Sequence, residues 1–198
     1  MIRFLSPRWA LALCFLIGAG NDLLFWLARG SYAVYLIDYG SKLAVLALCW
    51  ACWKAVPPAP RRDTTFSLAL GLFLLAVAGG LLTGPLPDLL GRGWRLLSWP
   101  DITVPILRIL DLSLGILLTA IAEELVYRRL AFAVLPGSPA AILVASSVLF
   151  GLIHWGEGYG AIVAATLAGV AFGLAWRRTG SLALVIAAHY LVDLILFW

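Results

Sequence analysis

Charge is scarce in this sequence: Asp, Glu, Lys and Arg together make up 12% of its 198 residues, too few to solvate the surface of a soluble globular domain. Histidine is scarcer still, with two in the whole chain, His154 and His189. The three cysteines, Cys14, Cys49 and Cys52, lie in apolar runs and offer no even-numbered disulfide framework. Cys49 and Cys52 have redox-like spacing, yet they sit mid-segment in LALCWACWKA without a strand or helix-start signal, so small buried hydrophobes are expected there. There is no HExxH, no internal repeat and no low-complexity tail. The formal charge of +4 would point a soluble protein toward nucleic acid, but these Arg residues occupy short loops and read as topology signals, so no nucleic-acid partner is expected.

What the chain does have is apolar length. With 63% hydrophobic residues, a mean hydropathy of +1.01 and nine Trp, it reads as all-α: one polytopic transmembrane helix bundle without room for a separate soluble domain. Apolar runs of roughly 20 residues predict seven helices, near 9–28, 35–55, 65–83, 106–135, 140–156, 160–177 and 181–197. Turn chemistry separates them at Val56-Pro57-Pro58-Ala59-Pro60-Arg61-Arg62-Asp63, at Pro136-Gly137-Ser138-Pro139 and at Arg177-Arg178-Thr179-Gly180. Met1 to Gly20 resembles a signal peptide, but Trp9 to Ala28 is long enough to span, so an uncleaved anchor is expected. Between Gly84 and Asp101, the prolines Pro85, Pro87 and Pro100 with Trp94, Arg95 and Trp99 suit an interfacial helix. Trp9, Trp26, Trp155, Trp176 and Trp198, near span ends, fit an aromatic belt.

Basic residues set the expected orientation. With the N-terminus inside, the inner loops collect Arg3, Arg8, Lys54, Arg61, Arg62, Arg128, Arg129, Arg177 and Arg178, and the outer ones Arg29, Arg92 and Arg95. This bias predicts an N-in, C-out arrangement. The expected organisation is residues 1–105 as N-terminal helices with the interfacial segment and residues 106–198 as a core carrying the chemistry. The expected setting is the lipid bilayer, as a multi-pass protein of a prokaryotic cytoplasmic membrane.

That chemistry is read from ionisable residues inside apolar segments, which are costly unless paired or used. Glu123 lies about 14 residues before the Gly137-Ser138 turn and His154 about 16 after it, so at a rise of 1.5 Å both sit roughly 22–25 Å from the turn. His189 and Asp193 lie about 16 and 22 Å from the Arg178-Thr179 turn by the same rise. The four therefore converge on one layer. Glu124 and Arg128 are i,i+4 neighbours able to pair, whereas Glu123 points about 100° away and is left free. Desolvation makes such a carboxylate a better base, suited to taking a proton from water and returning it to a leaving amine. Phe150, one turn before His154, can wall its ring.

Glu123-Glu124-Leu-Val-Tyr-Arg128 resembles an EExxxR motif, Phe150-Gly-Leu-Ile-His154 an FxxxH motif and His189-Tyr-Leu-Val-Asp193 an HxxxN/D motif. Their order and spacing are similar to those of the CAAX prenyl protease and bacteriocin-processing family of intramembrane glutamic endopeptidases, over about Asp111 to Trp198. The resemblance implies peptide hydrolysis without metal or cofactor. Glu123 and His154 would activate a water, and His189 with residue 193 would stabilise the oxyanion. Glu124, Arg128 and Phe150 would support them. Asp193 stands where the family often has Asn, and an ionised Asp accepts hydrogen bonds without donating any. It could instead orient and charge His189, leaving the imidazolium as donor. The substrate would be a peptide or protein with a membrane-associated segment: a prenylated tail, a bacteriocin leader or a sorting tail.

Two other functions fit the same residues. Two His and a Glu suffice as ligands for a zinc hydrolase, and intramembrane acids also serve non-catalytic binding or immunity proteins and proton relays. Blander readings apply to individual residues. Glu124 with Arg128 reads equally as a structural ion pair, and Phe150 as ordinary packing. Tyr127 and Tyr190 suit pocket walls or interface anchors, and Glu157 a solvent-facing loop. Pairing or water access accounts for Asp22, Asp38, Lys42, Arg108 and Asp111.

Overall fold

The computed structural model describes residues 5–57, 62–91, 93–97 and 102–197. Residues 1–4 of the anchor segment, Pro58, Ala59 and Pro60 of the first turn, and Arg3, Arg61 and Arg92 of the charge count lie outside the described residues. So do Trp99, Pro100 and Asp101 of the expected interfacial segment and Trp198 of the belt.

Every regular element among the described residues is helical: α1 (Pro7–Ala28), α2 (Ala33–Cys52, extended by a 3-10 turn at Trp53–Ala55), α3 (Phe66–Thr83), the short α4 (Leu86–Leu90), α5 (Pro105–Val134), α6 (Pro139–Leu152), α7 (Tyr159–Thr179) and α8 (Leu182–Phe197). Five helical stretches are long and apolar enough to cross a membrane, and α6 and α8 are shorter apolar helices. The chain is thus a multi-pass integral membrane protein.

Local chemistry explains where helices begin and stop. The hydroxyls of Ser6, Thr65 and Ser138 accept from the backbone N–H groups of Trp9, Leu68 and Ala141, capping α1, α3 and α6. Pro7 and Pro139 occupy first-turn positions where their missing N–H costs nothing. Gly180 ends α7 in the left-handed region at φ 64°, which a side chain would resist. The helix α5 is interrupted by π-helical stretches at Asp111–Gly115 and Leu125–Leu130.

Packing divides into two apolar clusters. In one, Cys14 of α1 and Cys49 and Cys52 of α2 meet Val126, Tyr127 and Leu130 of α5 and Phe150 of α6. All three cysteines are free and buried, in the role of small hydrophobes. In the other, Ala76 and Val77 of α3 meet Phe172 and Trp176 of α7 and Val185 and Val192 of α8. Lipid tails give helices no hydrophobic reason to associate, so small residues that admit close contact carry the packing.

The structure differs from the sequence-based expectation in two segments. The helix expected over 140–156 stops at Leu152, so His154 stands beyond its end at φ −93° and ψ 18°, and a 3-10 turn at Trp155–Glu157 leads into α7. Apolar residues continue through Ile153 and Trp155, which hid the break. Of the expected interfacial helix, the described residues form only Leu86–Leu90. Residues 93–97 are irregular because they pair with another loop instead: Trp94 Nε1 donates to the Trp155 carbonyl at 2.7 Å and Leu96 N to the Gly156 carbonyl at 2.7 Å.

Gly80 of α3 lies close against α8, where an added Cβ would be 2.7 Å from Val192 Cγ2. Val192 is branched at Cβ and cannot swing away without shifting α8. Gly80→Ala is expected to destabilise the bundle by about 1–3 kcal/mol, read as a lowered midpoint in thermal unfolding of the detergent-solubilised protein. An unchanged midpoint would show that α8 yields freely there.

Candidate active site

Between the two clusters lies a cavity of about 1080 Å³ whose lining includes Glu123, His154, His189 and Asp193. They come from three local contexts. Glu123 is on the α-helical part of α5 just before its second π-helical stretch, His154 is on the loop after α6, and His189 and Asp193 are one turn apart on α8.

His189 is the hub. Its Nδ1–H donates to Glu124 Oε1 at 2.9 Å, while Nε2 lies 3.3 Å from Asp193 Oδ2 and 3.6 Å from Glu123 Oε2. Its ring stacks on Phe172 of α7, with centroids 5.0 Å apart, and meets the edge of Phe150 at 5.8 Å. Position and tilt are therefore fixed by aromatic faces, and rotation by a hydrogen bond.

Glu124 does not face the cavity. Fully buried at 0% exposure, it lies with Oε2 2.9 Å from Arg128 Nε, as their i,i+4 spacing requires. Arg128, also at 0%, reaches Ser146 Oγ and the Tyr127 carbonyl at 3.5 Å and lies over the Phe150 ring at 5.2 Å. The Ser146 hydroxyl in turn donates to the Tyr127 carbonyl. Phe150 thus touches Arg128, His154, His189 and Tyr127 and is more than wall for one ring.

His154 Nδ1 lies 3.0 Å from the Phe150 carbonyl. A carbonyl only accepts, so Nδ1 carries the proton and, in the neutral ring, Nε2 is the acceptor. Glu123 and His154 are electrostatic neighbours on the cavity wall without forming an ion pair. A carboxylate and an imidazole acceptor facing shared space can together take a proton from a small molecule lodged there. Among the described residues, no group of three His, Cys, Asp or Glu side chains is arranged to hold a metal ion.

The structure brings together every residue that the sequence singled out for the site and adds others. Glu157, expected to face solvent, is half-buried and lines the cavity. Phe172 was not anticipated, since no motif marks it, although it is the only aromatic residue among the small ones of AGVAFGLA. Asp22 also lines the cavity, with Oδ2 accepting from Gly156 N at 2.8 Å. Its one signal was an isolated acid in the first span. The other intramembrane charges are paired as expected, Asp38 with Lys42 and Asp111 with the Tyr39 hydroxyl, while Arg108 is exposed and borders the cavity.

Comparison with known proteins gives one family. No curated protein and no solved structure matches the chain. Residues 105–195 match the family model described as Rce1-like, type II CAAX prenyl endopeptidase Rce1-like. That segment contains α5 to α8 almost entirely and all three motifs, so the resemblance read from them is met by an independent comparison, in which residues 105–195 are similar to type II CAAX prenyl endopeptidases of the Rce1-like kind.

Proposed function

We propose that the chain is a glutamic-type intramembrane endopeptidase that hydrolyses a peptide bond in a membrane-associated substrate without a metal. The observation that carries this reading is the convergence of Glu123, His154, His189 and Asp193 on one cavity inside an apolar bundle. In the reaction, a water hydrogen-bonded to His154 Nε2 loses a proton to Glu123 as its oxygen attacks the scissile carbonyl carbon. His189, as the imidazolium, stabilises the oxyanion from Nε2, its Nδ1–H being engaged by Glu124. The C–N bond then breaks as Glu123 returns the proton to the leaving amine. Asp193, 3.3 Å from Nε2, is assigned to charging and orienting His189 rather than to donating, because a carboxylate has no proton to give.

Glu123→Gln and His154→Ala should each lower kcat for cleavage of a membrane-anchored peptide by about 10²–10⁴-fold with expression and detergent behaviour unchanged. Near-wild-type turnover in either variant would overturn the assignment. Chelators should leave activity intact, and a stoichiometric zinc lost together with activity would move the reading to a metallohydrolase.

Glu124→Gln and Arg128→Ala should behave differently. Each leaves a formerly paired charge in a dry interior, at a cost of about 3–5 kcal/mol, so thermal stability and activity should fall together. A stable but inactive Glu124→Gln protein would instead put Glu124 in direct contact with the reacting groups.

The loop charges support an orientation with the amino terminus inside, which puts Ser31, between α1 and α2, outside and Ser138 inside. Both residues are exposed, and the substitutions are made on a background in which Cys14, Cys49 and Cys52 are replaced. Ser31→Cys is expected to label from outside intact cells and Ser138→Cys only after lysis. The reverse pattern would invert the topology.

A further inference from the structure

Where α6 stops at Leu152, the backbone leaves regular α-helical hydrogen bonding at a point packed against α1. Every polar group of such a segment needs a partner, since irregular backbone at membrane depth survives only when protein satisfies it. The loop that carries His154 meets part of this need itself, with His154 N, Glu157 N and Gly158 N donating to the carbonyls of Gly151, His154 and Trp155, and takes further partners from the first hundred residues. From α1, Asp22 Oδ2 accepts from Gly156 N at 2.8 Å and the Ala19 carbonyl accepts from Trp155 Nε1 at 2.8 Å. From the other side, Leu96 N donates to the Gly156 carbonyl at 2.7 Å and Trp94 Nε1 to the Trp155 carbonyl at 2.7 Å. Both backbone polar groups of Gly156 are therefore held by residues outside the matched segment 105–195.

The fit on the α1 side is close. Gly18, Ala19 and Asp22 share one face of α1, being i, i+1 and i+4. A Cβ on Gly18 would come within 3.2 Å of Ile153 Cγ2, so the helix lies directly against the loop. A Cβ on Gly156 would lie 2.6 Å from Asp22 Oδ2 and 2.8 Å from its Cγ, so any larger residue there expels the carboxylate. Asp22 is 5% exposed, a buried acid whose resolved hydrogen bond goes to that one amide.

We infer that Asp22 is a positioning residue for catalysis: through its hydrogen bond to the Gly156 amide, it clamps the 153–158 loop and so fixes where His154 presents Nε2 to the cavity. The inference rests on the proposed role of His154 in activating water. It gives the N-terminal helices a part in the chemistry that no motif assigns to them. The bond needs only an oxygen acceptor, which Asn supplies as well as Asp, so charge is not required.

The test compares Asp22→Ala, Asp22→Asn and Gly156→Ala in the full-length protein in detergent, with Glu123→Gln as a control. Turnover of a membrane-anchored peptide should fall on the order of 10–10²-fold in Asp22→Ala, as expected for a displaced catalytic group. KM should stay unchanged, Asp22→Asn should restore most of kcat, and Gly156→Ala should match Asp22→Ala. The double variant should be no worse than either single one, because both break the same bond. Hydrogen–deuterium exchange over residues 153–158 should rise in Asp22→Ala and Gly156→Ala and stay near wild type in Asp22→Asn. An Asp22→Asn protein as impaired as Asp22→Ala, a raised KM with unchanged kcat, or loop exchange that is indifferent to Asp22 would each overturn the inference. If Glu123→Gln retained full activity, the proposed mechanism would fall, while the exchange measurement would still decide the clamp.

Discussion

A carboxylate with no access to water needs compensation on every side, and Glu124 receives it from two helices at once. One oxygen lies 2.9 Å from Arg128 Nε on its own helix and the other accepts from His189 Nδ1 on α8 at 2.9 Å. In an interior of low dielectric, neither charge of the Glu124–Arg128 pair would be tolerated alone. Arg128 extends the arrangement to α6, through Ser146 and the face of Phe150. Three helices are thus held in one register by a single buried acid. The orientation of the His189 ring, and with it the direction of Nε2 toward Glu123 and Asp193, follows from that register.

A different constraint shapes the opposite wall of the cavity. At 14 residues, about 21 Å of helix, α6 is too short to cross a bilayer core of about 30 Å, and the chain turns beyond it against α1. Loops of this kind carry polar backbone that lipid cannot satisfy. Here α1 and residues 93–97 supply the missing donors and acceptors. The two walls are built by different means, one from side-chain charges on helices and the other from backbone held by distant segments.

This difference explains what could be read from sequence. The spans were legible because apolar runs broken by proline and glycine give lengths directly, and caps at Ser6, Thr65 and Ser138 act within three residues. The Glu124–Arg128 pair was legible for the same reason, being one turn of helix. Convergence of Glu123, His154, His189 and Asp193 followed from counting rises out of two turns. The end of α6 was not legible, because Ile153 and Trp155 prolong the apolar run. Neither was the role of Asp22, whose partner Gly156 is 134 residues away and is engaged through a backbone amide that carries no sequence signature. Phe172 stacks on His189 from a helix without a motif, and only tertiary packing reveals it.

The π-helical stretch at Leu125–Leu130 directly follows the acidic pair and includes Arg129, which donates to the carbonyls of Val56 and Pro57. A π-turn accommodates about one residue more than an α-turn over the same rise. The azimuth of Glu123 relative to the Arg129 anchor therefore includes a phase offset stored in the backbone. Loss of a single residue from this stretch would be absorbed by a return to ordinary α-periodicity over the same rise, so Glu123 would keep its direction into the cavity while one side chain between it and the end of α5 was lost. This short stretch is consequently the place where α5 can shorten by one residue without turning its acidic pair out of the site.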